Sequence, residues 1–308
     1  MKGPASRHGM LGQTLGGRYH IEQKIGEGGM SIVYLATNMA EGGRVAIKAL
    51  SPRLSADANA MARLRREATL GRRLDHPNVC RILDLGETAE GLVYIVMPFL
   101  QGELLCDRAG RLTTLPVVQV VPIVRDIAAG LQAAHDLGII HRDLKPENVM
   151  LTPTADGGER AVVMDFGLAK QHQAGPEVEK LTATGVVLGT PEFMSPEQLR
   201  GRPLDGRTDV YALALLAFEL LTTQLPFRGR SKQDLMIARL KHDPVRLREM
   251  RPDLVFGAAV ERVLVKGMAR DRADRFRTAP ELADALAMAA SGSEPRGGSG
   301  WLGRLLGR

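Results

Sequence analysis

This 308-residue sequence has few cysteines, few aromatic residues and no long apolar run. Two cysteines, Cys80 and Cys106, are too few for a disulfide framework or a cysteine-rich zinc site, and they favour a reducing compartment. No stretch reaches the roughly 18–20 apolar residues of a membrane-spanning helix. The first 13 residues also lack the apolar run of a signal peptide. The sequence therefore predicts a cytoplasmic protein without a transmembrane segment.

Charge and length narrow the class of protein further. The 41 Lys and Arg residues exceed the 35 Asp and Glu residues by 6, and this excess is spread along the chain without a long basic block. Such a distribution does not favour nucleic acid as a partner. A hydrophobic content of 44% is that of a globular protein. The length predicts two domains or two lobes.

The residue pattern changes near residue 100. Before it, residues 44–50 (RVAIKAL) and 92–97 (LVYIVM) are typical of strands, and residues 57–74 form an amphipathic helical pattern between them. After it, we predict helices over 116–137, 207–223, 231–242, 256–268 and 279–290, with Gly138 ending the first of them. We therefore predict an α+β fold with a β-rich lobe over 18–97, a hinge at 98–102 and a larger, mainly helical lobe over 103–290. A flexible tail over 1–17 and a Gly/Arg-rich tail over 291–308 would flank it.

A glycine-rich turn at residues 25–33 (IGEGGMSIV) is the first chemical signal. Glycines lack a Cβ atom, so main-chain N–H groups there can approach phosphate oxygens closely. A strand pattern follows the turn, whereas a dinucleotide-binding fingerprint requires a helix, and the Gly-Lys-Ser/Thr of a P-loop is absent. The glycines alone fit a plain hairpin turn equally well.

A lysine within a strand is the second signal. Lys48 ends the apolar run VAIK, where it could be an edge-strand lysine that extends to water or an ammonium group placed over a phosphate. The second interpretation requires a carboxylate that holds the lysine. Glu67 is the best candidate, because it is an acidic residue among the arginines of the following helix.

The third signal is a polar loop at residues 141–148 (HRDLKPEN). Asp143 offers an acceptor for a hydroxyl proton, and Lys145 offers a cation for a phosphoryl group. Asn148 and Asp165, which follows another apolar run, offer the oxygen ligands that Mg²⁺ prefers.

In these motifs the chain resembles the protein kinase family, in particular bacterial serine/threonine kinases of the eukaryotic type. The matching elements occur in the family's order: IGEGGMSIV, VAIK, Glu67, HRDLKPEN, DFG at 165–167, GTPEFMSPE at 189–197, Asp209 and Arg275. The resemblance implies the bilobal protein kinase fold. It also implies an ATP-dependent transferase that uses Mg²⁺, with Mn²⁺ as a possible substitute, and phosphorylates serine or threonine in proteins.

The resemblance also implies residue roles. Asp143, Lys145, Lys48 and Glu67 would be catalytic, and Asn148 and Asp165 would hold the metal. The hinge and the glycine-rich turn would supply most of the remaining nucleotide contacts. The full set of expected nucleotide contacts is Ile25, Gly26, Glu27, Gly28, Gly29, Met30, Ser31, Val33, Ala46, Lys48, Met97, Phe99, Asn148 and Asp165.

Substrate class and regulation follow from the same resemblance. Lys145 and Thr190 match the serine/threonine-specific members. Thr182 and Thr184 lie where autophosphorylation activates such kinases, with Arg142 as the expected partner of the phosphate, and a transient homodimer would allow phosphorylation between copies. Two alternatives are a pseudokinase scaffold and a small-molecule phosphotransferase. The first would require the loss of Lys48, Asp143 or Asp165, and the second would not require the GTPEFMSPE stretch.

Overall fold

The computed structural model describes residues 10–28, 31–51, 58–112, 114–166 and 191–292. For a few residues inside helices, including Glu67, it describes the main chain but not the side chain. Several of the predicted functional residues lie outside the described residues: Gly29, Met30, Gly167, Thr182, Thr184 and Thr190.

Six antiparallel strands form the sheet of the smaller lobe, in the order β1-β2-β3-β4-β6-β5. The strand predicted at residues 44–50 is confirmed, and the strand predicted at 92–97 is shifted by one residue. The segment after the glycine-rich turn is also a strand, as expected. The strands are β1 (Thr14–Leu15), β2 (Tyr19–Gly28), β3 (Ser31–Asn38), β4 (Arg44–Leu50), β5 (Asp84–Glu87) and β6 (Val93–Pro98).

The pleat of this sheet places Lys48 on the face opposite the main apolar cluster of the lobe. Ile47 and Ala49 flank Lys48 in β4 and are buried in that cluster together with side chains of β2, β3 and β6. Successive side chains of a strand point to opposite faces. Lys48 therefore shares the other face with Val33 of β3 and Ile95 of β6, its register partners.

The helix predicted at residues 57–74 is present as α1 (Ala58–Gly71). Met61 of α1 forms an apolar cluster with Leu50, Val93 and Ile95. Ile95 lies on the sheet face that carries Lys48, so α1 packs beside that lysine.

The larger lobe combines helices with a three-stranded sheet of order β7-β8-β9. Its strands are β7 (Glu103–Leu104), β8 (Val149–Pro153) and β9 (Glu159–Val163). Its helices are α2 (Leu105–Arg111), α3 (Val117–Asp136), α4 (Pro196–Leu199), α5 (Arg207–Thr222), α6 (Lys232–Lys241), α7 (Leu247–Met250), α8 (Ala258–Gly267) and α9 (Ala279–Ala290). All five helices predicted for this lobe are confirmed, with end points within two residues.

Helix α5 lies at the centre of this lobe and contacts α3, α8 and α9. Almost every residue of α5 is buried, because neighbouring helices cover it on several sides. Gly130 of α3 allows a second close contact: a Cβ atom there would lie 2.6 Å from the carbonyl oxygen of Asn78. The main chain at Asn78 therefore packs directly on α3.

Helix α3 is long and apolar enough to cross a membrane by length and composition alone, with a mean hydropathy of 1.3 in its most apolar window. The expectation that no stretch of the chain reaches the length of a membrane-spanning helix must therefore be qualified for α3. The apolar residues of α3 have another explanation, since Val120, Val124, Ile127 and Leu131 are buried in the core of the larger lobe. Core helices commonly combine such length and apolarity.

The structure differs from the sequence prediction at the N-terminal tail. Residues 1–17 were expected to form a flexible tail, yet Thr14 and Leu15 pair with His20 and Tyr19. Leu15 is only 4% exposed and packs in the apolar cluster of the smaller lobe. The partly buried Met10 packs on the same cluster, and main-chain hydrogen bonds join Gly12 and Gln13 to Ile21. So short a segment gives no periodic pattern in the sequence.

Candidate active site

The loop that begins at His141 is attached to α5 by Asp209. The Asp209 carboxylate accepts hydrogen bonds from the main-chain N–H groups of His141 (2.8 Å) and Arg142 (2.9 Å), and from His135 Nε2 (2.7 Å). Asp209 is fully buried. Burial raises the pKa of this carboxyl, but the hydrogen bond and charge of His135 and the loop N–H groups outweigh it and lower the pKa. A charged Asp209 therefore holds the loop in place.

The hydrogen bonds of His141 define its tautomer. Its Nε2 lies 2.8 Å from the carbonyl oxygen of Met164, which can only accept, so Nε2 carries the hydrogen. Its Nδ1 accepts from the main-chain N–H of Asp143 at 3.2 Å. Through these two bonds His141 joins the loop to the segment after β9. The ring of Phe166 lies edge-on to it, with centroids 4.7 Å apart.

Asn148 fixes the side chain of Asp143. Asn148 Nδ2 donates to the carbonyl oxygen of Asp143 at 2.7 Å and to its carboxylate Oδ2 at 3.2 Å. Both bonds use the nitrogen of the amide, so its oxygen faces elsewhere and has the chemistry of a ligand for a hard cation. Lys145, the other charged group of this loop in the sequence prediction, is half-buried.

The pairing of β8 with β9 brings Asn148 and Asp165 to the same end of the small sheet. Val149, the first residue of β8, pairs with Val163, the last residue of β9. Asn148 directly precedes this pair, and Asp165 follows it by two residues. The Met164 N–H donates to the Asn148 carbonyl oxygen at 2.8 Å. The two predicted metal ligands therefore come together, and an amide oxygen with a carboxylate suits Mg²⁺.

Lys48 and Asp165 join the two lobes. Lys48 Nζ lies 2.7 Å from Asp165 Oδ1, and both side chains are largely shielded from water. Asp165 has a φ of 56°, in the left-handed region that residues with a Cβ atom adopt only occasionally. The predicted partner of Lys48 was Glu67, whose main chain lies in α1 but whose side chain is outside the described part.

Four of the predicted nucleotide contacts, Lys48 among them, share one face of the sheet. Ala46 pairs with Met97 across β4 and β6, and Val33 pairs with Lys48. Side chains paired across strands share a face, so these four line one surface. Phe99 lies just after β6, at the expected hinge. The sheet thus presents an apolar wall with one ammonium group.

The described part of the glycine-rich turn is a β-hairpin. Gly26 pairs with Val33 and Gly28 with Ser31. Ile25 is 42% exposed, and Glu27 forms an ion pair with Lys24. Strands β2 and β3 therefore stay paired up to Gly28 and Ser31, the residues on either side of the turn.

A buried ion pair holds α4 near the loop. Arg275 donates to both carboxylate oxygens of Glu197, at 2.7 and 2.8 Å, and Thr208 Oγ1 donates to the same carboxylate at 2.9 Å. Burial raises the pKa of Glu197, but the hydrogen bond and charge of Arg275 outweigh it and lower the pKa. Both residues belong to the family-matching motifs named above, and these contacts bring the two motifs together. The next residue, Gln198, donates from Nε2 to the Arg142 carbonyl oxygen at 2.8 Å.

Three of these positioning residues had no assigned role in the sequence analysis. Asp209 was recognised only as a family match, and His135 and Gln198 were not singled out. Asp209 lies near the start of an otherwise apolar helix, and a carboxylate is costly there without partners. A carboxylate in a mainly apolar helix was therefore the feature of the sequence that could have indicated a buried role for Asp209. The sequence separation of 68 between His141 and Asp209 concealed the partner.

The comparisons with known proteins agree with this geometry. Residues 19–277 match the family model described as the protein kinase domain. The chain belongs to the protein kinase family. It is 38% identical over 265 residues to the serine/threonine-protein kinase pkn3 of Myxococcus xanthus, which covers 86% of this chain and 48% of pkn3. It is 38% identical over 271 residues to the probable serine/threonine-protein kinase PknB of Corynebacterium glutamicum, which covers 86% of this chain and 41% of that protein. It thus spans less than half of each.

The solved structures show the same fold. The kinase domain of Mycobacterium tuberculosis PknI superposes with a TM-score of 0.72 at 32% identity, over 91% of this chain and 98% of the PknI domain. The expected bilobal α+β protein kinase fold and the expected family are therefore confirmed.

Proposed function

We propose that this protein is a serine/threonine protein kinase that transfers the γ-phosphoryl group of ATP to hydroxyl groups of proteins. The observation that carries the proposal is the convergence of Lys48, Asp165, Asn148 and Asp143 from both lobes on one site. The relatives named above carry the same activity in their names. A pseudokinase would not need to keep all of these groups.

In the proposed reaction, the substrate hydroxyl oxygen forms a bond with the γ-phosphorus of ATP. The bond between that phosphorus and the oxygen that bridges to the β-phosphate breaks, and ADP leaves. Asp143, oriented by Asn148, accepts the hydroxyl proton. Lys145 stabilises the transferred phosphoryl group, and Lys48 binds the α- and β-phosphates.

Asn148 and Asp165 would hold Mg²⁺ or Mn²⁺, which neutralises charge that develops on the phosphate oxygens. Lys48 contacts Asp165 in the structure described here. When ATP binds, we expect Lys48 to exchange this carboxylate for phosphate oxygens, with Glu67 of α1 as its supporting acid. The adenine would lie against Ala46, Val33 and Met97, with the chain near Phe99 at its edge.

Activation by autophosphorylation at Thr182 or Thr184 is a further part of the proposal, with Arg142 as the phosphate's partner. It would require a transient homodimer. The double variant Thr182→Ala, Thr184→Ala should keep its fold and lose at least tenfold in activity. Unchanged activity of this variant would contradict the regulatory part alone. A cytoplasmic location would fit a reaction that consumes ATP.

Radiolabelled ATP tests the proposal with the protein alone, with a generic basic protein and with an aminoglycoside. We expect label on the two proteins and none on the aminoglycoside. The variants Asp143→Asn and Lys48→Met should each lose at least 100-fold in transfer while their circular dichroism spectra stay unchanged. Label on the aminoglycoside alone would identify a small-molecule phosphotransferase, and retained transfer by either variant would contradict the assigned roles.

A further inference from the structure

An arginine-rich cleft lies beside α4, outside the candidate active site. It has a volume of about 350 Å³ and is formed by the end of α4 with the following turn, by the C-terminal end of α6 and by the turn before Arg275. Four arginines line it: Arg200, Arg202, Arg270 and Arg272. Such guanidinium groups repel one another at short range, so their convergence from two distant chain segments is unfavourable without an anion.

Main-chain oxygens hold three of these side chains. Arg272 Nη1 donates to the carbonyl oxygen of Pro203 at 2.8 Å, and Arg200 Nη2 donates to that of Leu240 at 3.3 Å. Arg270 Nη1 donates to a carbonyl oxygen at the end of α6, at 3.1 Å. A guanidinium group has five N–H donors, so each arginine keeps most of them for a ligand. The held side chains lose little further freedom when an anion binds.

The charges of the cleft are only partly compensated. Arg270 forms an ion pair with Asp243 at 2.8 Å, and Arg272 forms one with Asp205 at 3.2 Å. The other two lining arginines, at positions 200 and 202, have no carboxylate partner among the residues that the structure describes. Two guanidinium groups are therefore available for an anion from outside.

The two carboxylates in the lining do not supply that anion. Glu197 is already bound through both oxygens by Arg275. Asp271 caps the short helix that follows it and accepts the N–H of Ala273 at 2.9 Å. The cleft thus keeps a net positive charge.

We propose that this cleft binds a phosphorylated serine or threonine side chain of a protein. A phosphate monoester carries nearly two charges and three acceptor oxygens, which match two guanidinium groups that bind in bidentate fashion. A cleft of about 350 Å³ fits one such side chain with its flanking residues, whereas duplex nucleic acid requires an extended basic surface. The choice of a phosphoprotein as the source rests on the proposed function, because the proposed reaction generates that chemical group.

The position of the cleft indicates what such binding achieves. Helix α4 contributes Glu197 to the lining of the cleft, and the next residue, Gln198, bonds to the loop that carries Asp143. Helix α4 therefore connects the cleft to the catalytic loop, and a protein held in the cleft by one phosphate would be anchored beside the helix that contacts this loop. The cleft would favour substrates that already carry a phosphate.

Fluorescence anisotropy with the full chain tests this proposal without phosphoryl transfer. The chain carries Asp143→Asn, and no ATP is added. The probe is a labelled seven-residue Gly/Ala peptide with one central phosphothreonine, compared with the same peptide carrying threonine. We expect at least tenfold tighter binding of the phosphorylated peptide. The double variant Arg200→Ala, Arg202→Ala should remove that difference.

The matched control, Arg228→Ala with Arg230→Ala, removes the same amount of charge at two exposed residues away from the cleft. It should keep the tenfold difference in affinity between the two peptides. If the alanine variant unfolds, Arg200→Lys with Arg202→Lys replaces it and should lose at least threefold, because lysine keeps the charge without the bidentate geometry. Equal binding of the two peptides would overturn the proposal. So would an equal effect of the control, or binding of a single-stranded oligonucleotide or of anionic lipid vesicles but not of the phosphopeptide. None of these outcomes depends on catalytic activity, so failure of this proposal would not contradict the proposed kinase function, which the transfer assay tests.

Discussion

Removal of one partner from the buried pair of Glu197 and Arg275 should strongly destabilise the larger lobe. The substitution Arg275→Met removes two hydrogen bonds to Glu197 and three to main-chain carbonyl oxygens. It leaves Glu197 buried with Thr208 as its remaining side-chain partner. An uncompensated buried charge of this kind costs about 3–5 kcal/mol of unfolding free energy. Methionine keeps part of the packing on the ring of Tyr211, which the guanidinium group of Arg275 contacts at 4.8 Å.

A second substitution separates the charge effect from the packing effect. Adding Glu197→Gln to Arg275→Met removes the buried charge and should recover about 2 kcal/mol. Urea unfolding followed by circular dichroism measures all four members of this cycle. A loss below about 1 kcal/mol for Arg275→Met, or no recovery in the double variant, would refute the reasoning.

The pH dependence gives an independent check. In the native protein the pKa of Glu197 is lowered, so its pairing stabilises the fold above pH 4.5 and this contribution is lost as the pH falls through the lowered pKa. Without Arg275, burial instead raises the pKa of Glu197. The loss of unfolding free energy caused by Arg275→Met should therefore be largest at pH 8 and become smaller towards pH 5, because Glu197 takes up a proton in the variant.

Three further predictions concern other buried groups. Asp209→Asn should reduce kinase activity at least tenfold and the unfolding free energy by about 2–3 kcal/mol, because one acceptor oxygen becomes an NH₂ group that faces hydrogen-bond donors. Kinase assays and urea unfolding measure the two effects, and unchanged values would contradict the role of Asp209 in holding the loop. Burial, with neighbouring glutamates, raises the pKa of Glu219 to about 7, so the unfolding free energy of the native protein should fall as the pH rises from 4.5 to 7. Glu219→Gln should remove this pH dependence and be more stable than the native protein at pH 8 by about 1–3 kcal/mol; an unchanged pH dependence in urea unfolding would contradict the prediction. Gly130→Ala should lower the stability measured by thermal unfolding by about 1–3 kcal/mol, because its Cβ would meet the Asn78 carbonyl oxygen. The control Gly110→Ala, in open space on α2, should not destabilise the protein, and an equal loss of stability in both variants would refute the contact.

Local patterns in the sequence predicted much of the fold. Alternation along β4 places Lys48 on the face opposite Ile47 and Ala49, and period-3.6 apolar patterns predicted the five long helices of the larger lobe within two residues of their ends. The short elements were not predicted. The strand β7 has two residues and α4 has four, which is too short for a periodic pattern to emerge.

The chemistry of the candidate site was predictable residue by residue, but its contacts were not. Asp143, Asn148 and Asp165 were chosen for their side-chain chemistry in polar loops after apolar runs. The pairing of Lys48 with Asp165 spans 117 positions and follows from how the lobes meet, which no local pattern encodes. The arginine-rich cleft has the same origin, since residues 200–202 and 270–272 converge only in the folded chain.

Calorimetric titration of the Asp143→Asn protein with ATP in the presence of Mg²⁺ tests most directly whether the two lobes form one nucleotide site. We predict one nucleotide bound per chain, and at least tenfold weaker binding when Lys48→Met is added. No heat of binding to well-folded protein, or equal binding with and without Lys48, would contradict the central claim that this lysine and the Asp165 carboxylate lie in a site for ATP.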